Sequence, residues 1–239
     1  MKSYYALLTL AVVAMASLGF TAGSADAAVI SELGVLDMET VNGGINPVTG
    51  GAWAEGDTYR LAFVTAGTRD ATSANIADYH SFVQSAANAA GYGGTTWYNI
   101  GQSYNNPVRN DNALLTGTGE GIFLLDGAKL ADDYNDLFNG PDTTFSVTEE
   151  LTEYLGNVAT GSSRKFGDPN QTKIEHGNSD RLSSQWWQVY NGNQSSQWHF
   201  YAISDLLTVQ AAAVPEPTTF ALGALSLLGV VVTIRRRKR

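Results

Sequence analysis

The chain has 239 residues, with 14 basic against 23 acidic side chains, no cysteine and a formal charge of −9 at pH 7. Without cysteine there is no disulfide staple, thiol nucleophile, thiolate metal site or cysteine-linked lipid, so an exported body must be held by its core alone. The acidic balance makes nucleic acid and anionic membrane surfaces poor partners.

Lys2 opens a positive n-region, residues 6–20 are apolar, and Ala25 and Ala27 supply small side chains at the two positions a signal peptidase reads. Residues 1–27 are therefore predicted to be a signal peptide cleaved after Ala27. The body, residues 28–213, is long enough for one domain with its own core. Lys2 and the five basic residues of the tail lie outside it, as do Asp26 and Glu216, so its net charge is near −13. Such a body would attract divalent cations or basic partners.

Residues 29–56 are short apolar pieces broken by glycines and read as extended chain with turns. Residues 58–65, rich in aromatic and β-branched side chains, predict the first clear strand. Residues 70–73 offer capping side chains ahead of the main helix, in which Ile76, Tyr79, Phe82, Val83, Ala86, Ala87 and Ala90 recur at helical spacing and Gly91 suits the C′ position. Residues 97–100 and 122–125 read as short strands, and 131–138 as a short helix closed by Asn139-Gly140-Pro141. Residues 144–148 read as a strand or as the approach to 149–153, where Glu149, Glu150 and Glu153 would share one helix face. Residues 160–184 look like a polar loop. Two strands, 186–190 and 198–204, then flank a turn at Asn191-Gly192-Asn193. Short antiparallel strands, one main helix and long loops give an α+β fold.

The segments 59–65, 69–73, 122–140, Trp186-Trp187 and 200–204 resemble exported bacterial proteins and a bacterial branch of the C-type-lectin/endostatin-like fold. That resemblance implies a single C-type-lectin-like domain, although the disulfides usual in the fold are missing. Asp168-Pro169-Asn170 looks like the Glu-Pro-Asn triplet with which C-type lectins contact sugar and Ca²⁺, with Asp in place of Glu. The resemblance marks Asp168 and Asn170 as candidate carbohydrate and Ca²⁺ contacts, and Trp186 or Trp187 as a ring for a sugar to stack on; paired tryptophans usually place one ring in the core.

No nucleophile elbow or phosphate loop is present, and His80, His176 and His199 lack metal-ligand spacing. No catalytic residue is assigned and no enzyme is expected. Asp126, Asp132, Asp133, Asp136 and Asp142 are hard oxygen ligands of the kind Ca²⁺ takes, but the EF-hand pattern fails, and the sequence assigns no metal or other cofactor.

The tail has three parts. Val214-Pro215-Glu216-Pro217 cannot be helical or ladder-bonded and stays extended. Residues 218–234 are an apolar run slightly short of the roughly 20 residues of a full span. Arg235, Arg236, Arg237, Lys238 and Arg239 resist translocation and stay cytoplasmic. This order resembles the PEP-CTERM sorting signal, which implies handling by signal peptidase and then by an exosortase, a membrane-embedded processing enzyme. The body would be tethered for a time to the inner membrane through the C-terminal transmembrane helix. It would then reach the cell surface or an extracellular matrix, with exopolysaccharide as a further partner. The expected role is structural or adhesive; the alternative is a calcium-assisted carbohydrate-binding, lectin-like protein of the matrix.

Overall fold

The aromatic and β-branched run at residues 58–65 forms the middle of the fold. A computed structural model describes residues 28–107 and 119–212; the signal peptide, the motif 214–217, the apolar run and the basic end lie outside the described residues. The architecture is α+β and mostly sheet. Its strands are β1 (Val29–Ser31), β2 (Thr58–Val64), β3 (Trp97–Asn99), β4 (Gly121–Leu124), β5 (Lys129–Ala131), β6 (Asn157–Ala159), β7 (Lys173–Asn178), β8 (Tyr190–Asn193), β9 (His199–Ser204) and β10 (Leu207–Ala211). Two α-helices, α1 (Ile76–Ala89) and α2 (Tyr134–Asn139), and two 3-10 turns, Val41–Gly44 and Ser184–Trp186, complete the described elements.

The sheet runs β1-β10-β2-β9-β6-β7-β8, with β4 beside β2, β5 beside β4, and β3 beside β9. The β2–β4 and β6–β9 pairs are parallel and the others antiparallel. Strands β9 and β10 follow each other along one edge of β2. Ala62 faces Ile203 but Tyr59 faces Leu207, so one extra residue is accommodated between them as a bulge. Polar side chains fill that irregularity: Arg60 donates to the Ser204 carbonyl at 3.0 Å, and the Ser204 hydroxyl accepts from Leu61 N at 2.9 Å.

Side chains alternate across β2, and both faces are covered. Tyr59, Leu61 and Phe63 join a cluster with Trp53, Trp97, Phe123, Phe200 and the helix residues Tyr79, Val83 and Ala87. Ala62 and Val64 join another with Ile122, Leu124, Tyr201, Leu137, Phe145, Trp186 and Trp187. Helix α1 buries the 79/83/87 stripe because those positions are four residues apart. Its N-cap is Asn75, whose side chain accepts from Ala77 N, rather than a residue of the predicted 70–73 stretch; Asp70 instead closes its own turn onto Thr72. Gly91, at φ +92°, ends the helix as the sequence predicts. The outward edge of β3 is satisfied by α1, for His80 Nδ1 accepts from Asn99 N at 2.9 Å and Gln84 Oε1 from Trp97 N at 2.8 Å.

Three predicted elements are corrected. The segment read as a polar loop contains β7, in which Ile174 is the one large apolar side chain, so no apolar alternation betrays it. Residues 186–190 are not a strand: a 3-10 turn spans Ser184–Trp186 and β8 begins at Tyr190, with Asn191-Gly192-Asn193 inside it. The reversal comes later, where Ser196 N donates to Asn193 O. Glu149, Glu150 and Glu153 share no helix, because the Thr148 and Thr152 hydroxyls bond at 2.7 Å and close a tight loop with Leu151 at φ +57°.

Gly177 in β7 is where the 3-10 turn crosses the sheet, and a Cβ there would lie 1.7 Å from the Trp186 carbonyl oxygen. Gly177→Ala should therefore destabilise the protein by about 3 kcal/mol, the upper range for forced overpacking, and shift tryptophan fluorescence; a urea titration followed at the indole emission band checks both.

Candidate functional site

Ala25, Ala27, Val214, Pro215, Glu216, Pro217 and the basic end 235–239 lie outside the described residues, as does the predicted span 218–234. Among the described residues no helix is long and apolar enough to cross a membrane. The body's first and last described residues do meet: Ala212 N donates to Ala28 O at 2.6 Å, extending the pairing of Val29 with Ala211.

Asp168 and Asn170 form a turn rather than an open ligand set. Asp168 accepts from Asn170 N at 2.9 Å through Oδ1 and from Gln171 Nε2 at 2.7 Å through Oδ2, so both carboxylate oxygens already have local partners. Trp186 is 0 % exposed. Its ring centroid lies 5.1 Å from that of Phe138, 5.7 Å from Phe145 and 5.2 Å from Tyr201, and its Nε1 donates to Leu137 O at 2.9 Å. With its donor satisfied and its faces packed, Trp186 is a core residue; no sugar can stack on it without unpacking the cluster.

The acidic cluster is divided by role. Asp126 accepts from Ala128 N and shapes a turn, while Asp133 caps α2 by accepting from Asp136 N. Carboxylate oxygens of Asp132, Asp136 and Asp142 lie within 4.8 Å of one another. Lys129 Nζ sits against two of them, 2.6 Å from Asp132 and 2.8 Å from Asp142. Burial would lower the Lys129 pKa, but those bonds outweigh it and hold the ammonium above its usual range.

A cleft of about 540 Å³ opens beside the second cluster, lined by Phe138, Glu175, Ser184, Trp187, Gln188 and Val189. That volume falls within the range of small-molecule sites, about 300–1,000 Å³. The lining comes from three stretches of chain: the last turn of α2, the middle of β7, and the 3-10 turn with the residues after it. Trp187 directly follows the buried Trp186 and is 8 % exposed, its ring edge-on to Phe138 at 5.1 Å. Glu175 is 6 % exposed and accepts from the Ser163 hydroxyl. Its backbone is fixed on both sides, with Glu175 N donating to Arg164 O and Glu175 O accepting from Thr160 and Gly161 N. The tryptophan pair is the one sequence signal for this site; Phe138, Glu175, Ser184 and Gln188 follow no local spacing.

The histidines serve the fold. Burial lowers the pKa of His80, which accepts from Asn99 N, and of His176, which packs against the Trp198 ring at 5.0 Å. His199 stacks on Tyr154, with ring centroids 3.8 Å apart, and its Nδ1 lies 2.6 Å from Thr65 O. Glu149, buried and bonded by Ala66 N at 2.8 Å, has its pKa raised by burial.

Residues 213–238 match the PEP-CTERM protein-sorting motif. The match covers the tail and none of the folded body. It indicates an exported, cell-surface-targeted protein that is sorted by an exosortase. No curated protein matches the chain.

Two expected outcomes follow from the geometry. Because His80 and His176 are harder to protonate folded than unfolded, the stability of their neutral forms is full above the ordinary value of 6.5 and is lost as pH falls below it. Urea titrations at pH 7.5 and pH 5 should show that loss, and His80→Gln, which keeps an acceptor for Asn99 N, should reduce it. Lys129→Met leaves facing carboxylates without their cation and should cost roughly 1 kcal/mol, recovered by millimolar Ca²⁺; thermal melts with and without CaCl₂ measure this.

Proposed function

We propose that the chain is a non-catalytic surface or matrix protein whose sorted body has a structural or adhesive role, holding extracellular polysaccharide. The observation that carries the reading is the pairing of a sorting tail with an acidic, cysteine-free body that has an aromatic-lined cleft. The tail fixes the destination. The cleft supplies the body with somewhere to hold a ligand, and among the described residues the Ser184 hydroxyl of its lining has no hydrogen bond to the Glu175 carboxylate. In this reading the body is delivered across the inner membrane, tethered for a time by the apolar run, and then handed to the cell surface or matrix after exosortase processing.

A lectin-like, calcium-assisted variant of the reading draws on the likeness of residues 168–170 to the sugar- and calcium-contacting triplet, and on the C-type-lectin-like look of the body. A Ca²⁺ ion there would share the Asp168 oxygens with the Asn170 and Gln171 donors they already accept from. The cleft at Trp187 asks for no such sharing, and adhesion through it is the favoured form.

The intact mass and terminal peptides of protein recovered from its native host test the sorting half of this reading. The expected result is an N-terminus at Ala28 and a C-terminus within residues 215–218, with the apolar run and basic end gone. Intact Arg239 in all surface material would overturn processing and leave a plain anchor.

A further inference from the structure

We infer that the cleft between α2, β7 and the 3-10 turn binds uncharged pyranose rings and discriminates against uronic-acid polymers; this rests on the adhesive reading above and names the ligand class of that site. The argument starts from the lining. Trp187 and Phe138 give the floor an aromatic surface fixed by their mutual edge-on packing and by the Trp186 ring beneath, tilted at 52° to Trp187. A fixed aromatic surface suits the C–H face of a pyranose, because the ring pays little conformational entropy on binding.

At the mouth, Ser184 and Gln188 are exposed, and among the described residues their side chains make no hydrogen bond. Their backbones are held: Ser184 O accepts from Trp187 N and from Gln188 N, both at 3.1 Å. A hydroxyl and a primary amide, each able to donate and to accept, are therefore presented one helical turn apart with nothing of their own to bond. Sugar hydroxyls have the same double character and match both.

Charge sets the specificity. Glu175 is the one ionisable side chain of the lining, and no cation shares the cleft with it. Lys165, which lies near Glu175, is already bonded to Gln102 Oε1 and Ser162 O. Glu175 accepts from Ser163 through one oxygen and keeps a second carboxylate oxygen for a sugar hydroxyl. An approaching uronate would meet that carboxylate, in a body whose net charge is near −13, and like charges so placed oppose binding. A neutral hexose polymer meets no such penalty.

Affinity electrophoresis and titration of indole fluorescence test this on the processed protein, with dextran and cello-oligosaccharides as neutral probes and alginate as the anionic probe, each with CaCl₂ and with EDTA. The expected result is retardation and a fluorescence shift with a neutral probe in either buffer, and none with alginate. Gln188→Ala combined with Ser184→Ala changes two exposed positions and should weaken binding about tenfold while leaving the thermal melt unchanged. Trp187→Ala should abolish it, and the double variant keeps the test valid if Trp187→Ala fails to fold. Alginate binding as well as or better than the neutral probes, with dependence on Gln188, would overturn the stated specificity and leave a glycan-binding site. Binding that ignores both variants would overturn the site. Binding of no probe at all would overturn the glycan reading and leave sorting and a structural role standing.

Discussion

The antiparallel register between β2 and the continuous edge made by β9 and β10 is the constraint on which the remaining structure hangs. Three partners pair along β2, and aromatic side chains cover both of its faces. A slip of one residue would exchange Tyr59, Leu61 and Phe63 with Arg60, Ala62 and Val64, and so send the large rings to the wrong layer. The bulge between β9 and β10 prevents such a slip from being harmless. Arg60 and the Ser204 hydroxyl bond the irregular backbone there, and they reach it in one register only. Without cysteine, this matching of register to two cores does the work that cross-links do in many exported domains.

Legibility in the sequence followed apolar content. The strands β2, β3, β4 and β9 and the helix α1 are visible because their inward side chains are large and apolar at the right period. Strand β7 is hidden because its buried positions include Glu175, His176 and Gly177, residues that occur as often in loops. Strand β8 is hidden because Gly192, taken for a turn, makes room for the Trp198 ring, which a Cβ would approach to 2.2 Å. These are tertiary reasons, and no window of local sequence contains them.

The candidate site was half legible for the same cause. Adjacent tryptophans announce that at least one ring is in the core, but the pattern does not say which. The 3-10 turn ending at Trp186 sends both rings into the second cluster, Trp186 fully and Trp187 with an edge left at the cleft. Phe138 arrives from α2 and Glu175 from β7, and the crossing of the turn over Gly177 brings them to Trp187. The acidic residues taught the reverse lesson. They were conspicuous in sequence, yet the structure gives them to a turn, a helix cap and a lysine.

The join between Ala28 and Ala212 has a mechanical meaning. Strand β10 is held along its length, by β2 at Leu207 and Thr208 and by β1 from Val209 to Ala211. A pull on Ala212 along the strand would load those ladder bonds together, in shear, instead of parting them one after another. A body with no covalent clamp is thus closed at the C-terminal end of its described residues by two partner strands.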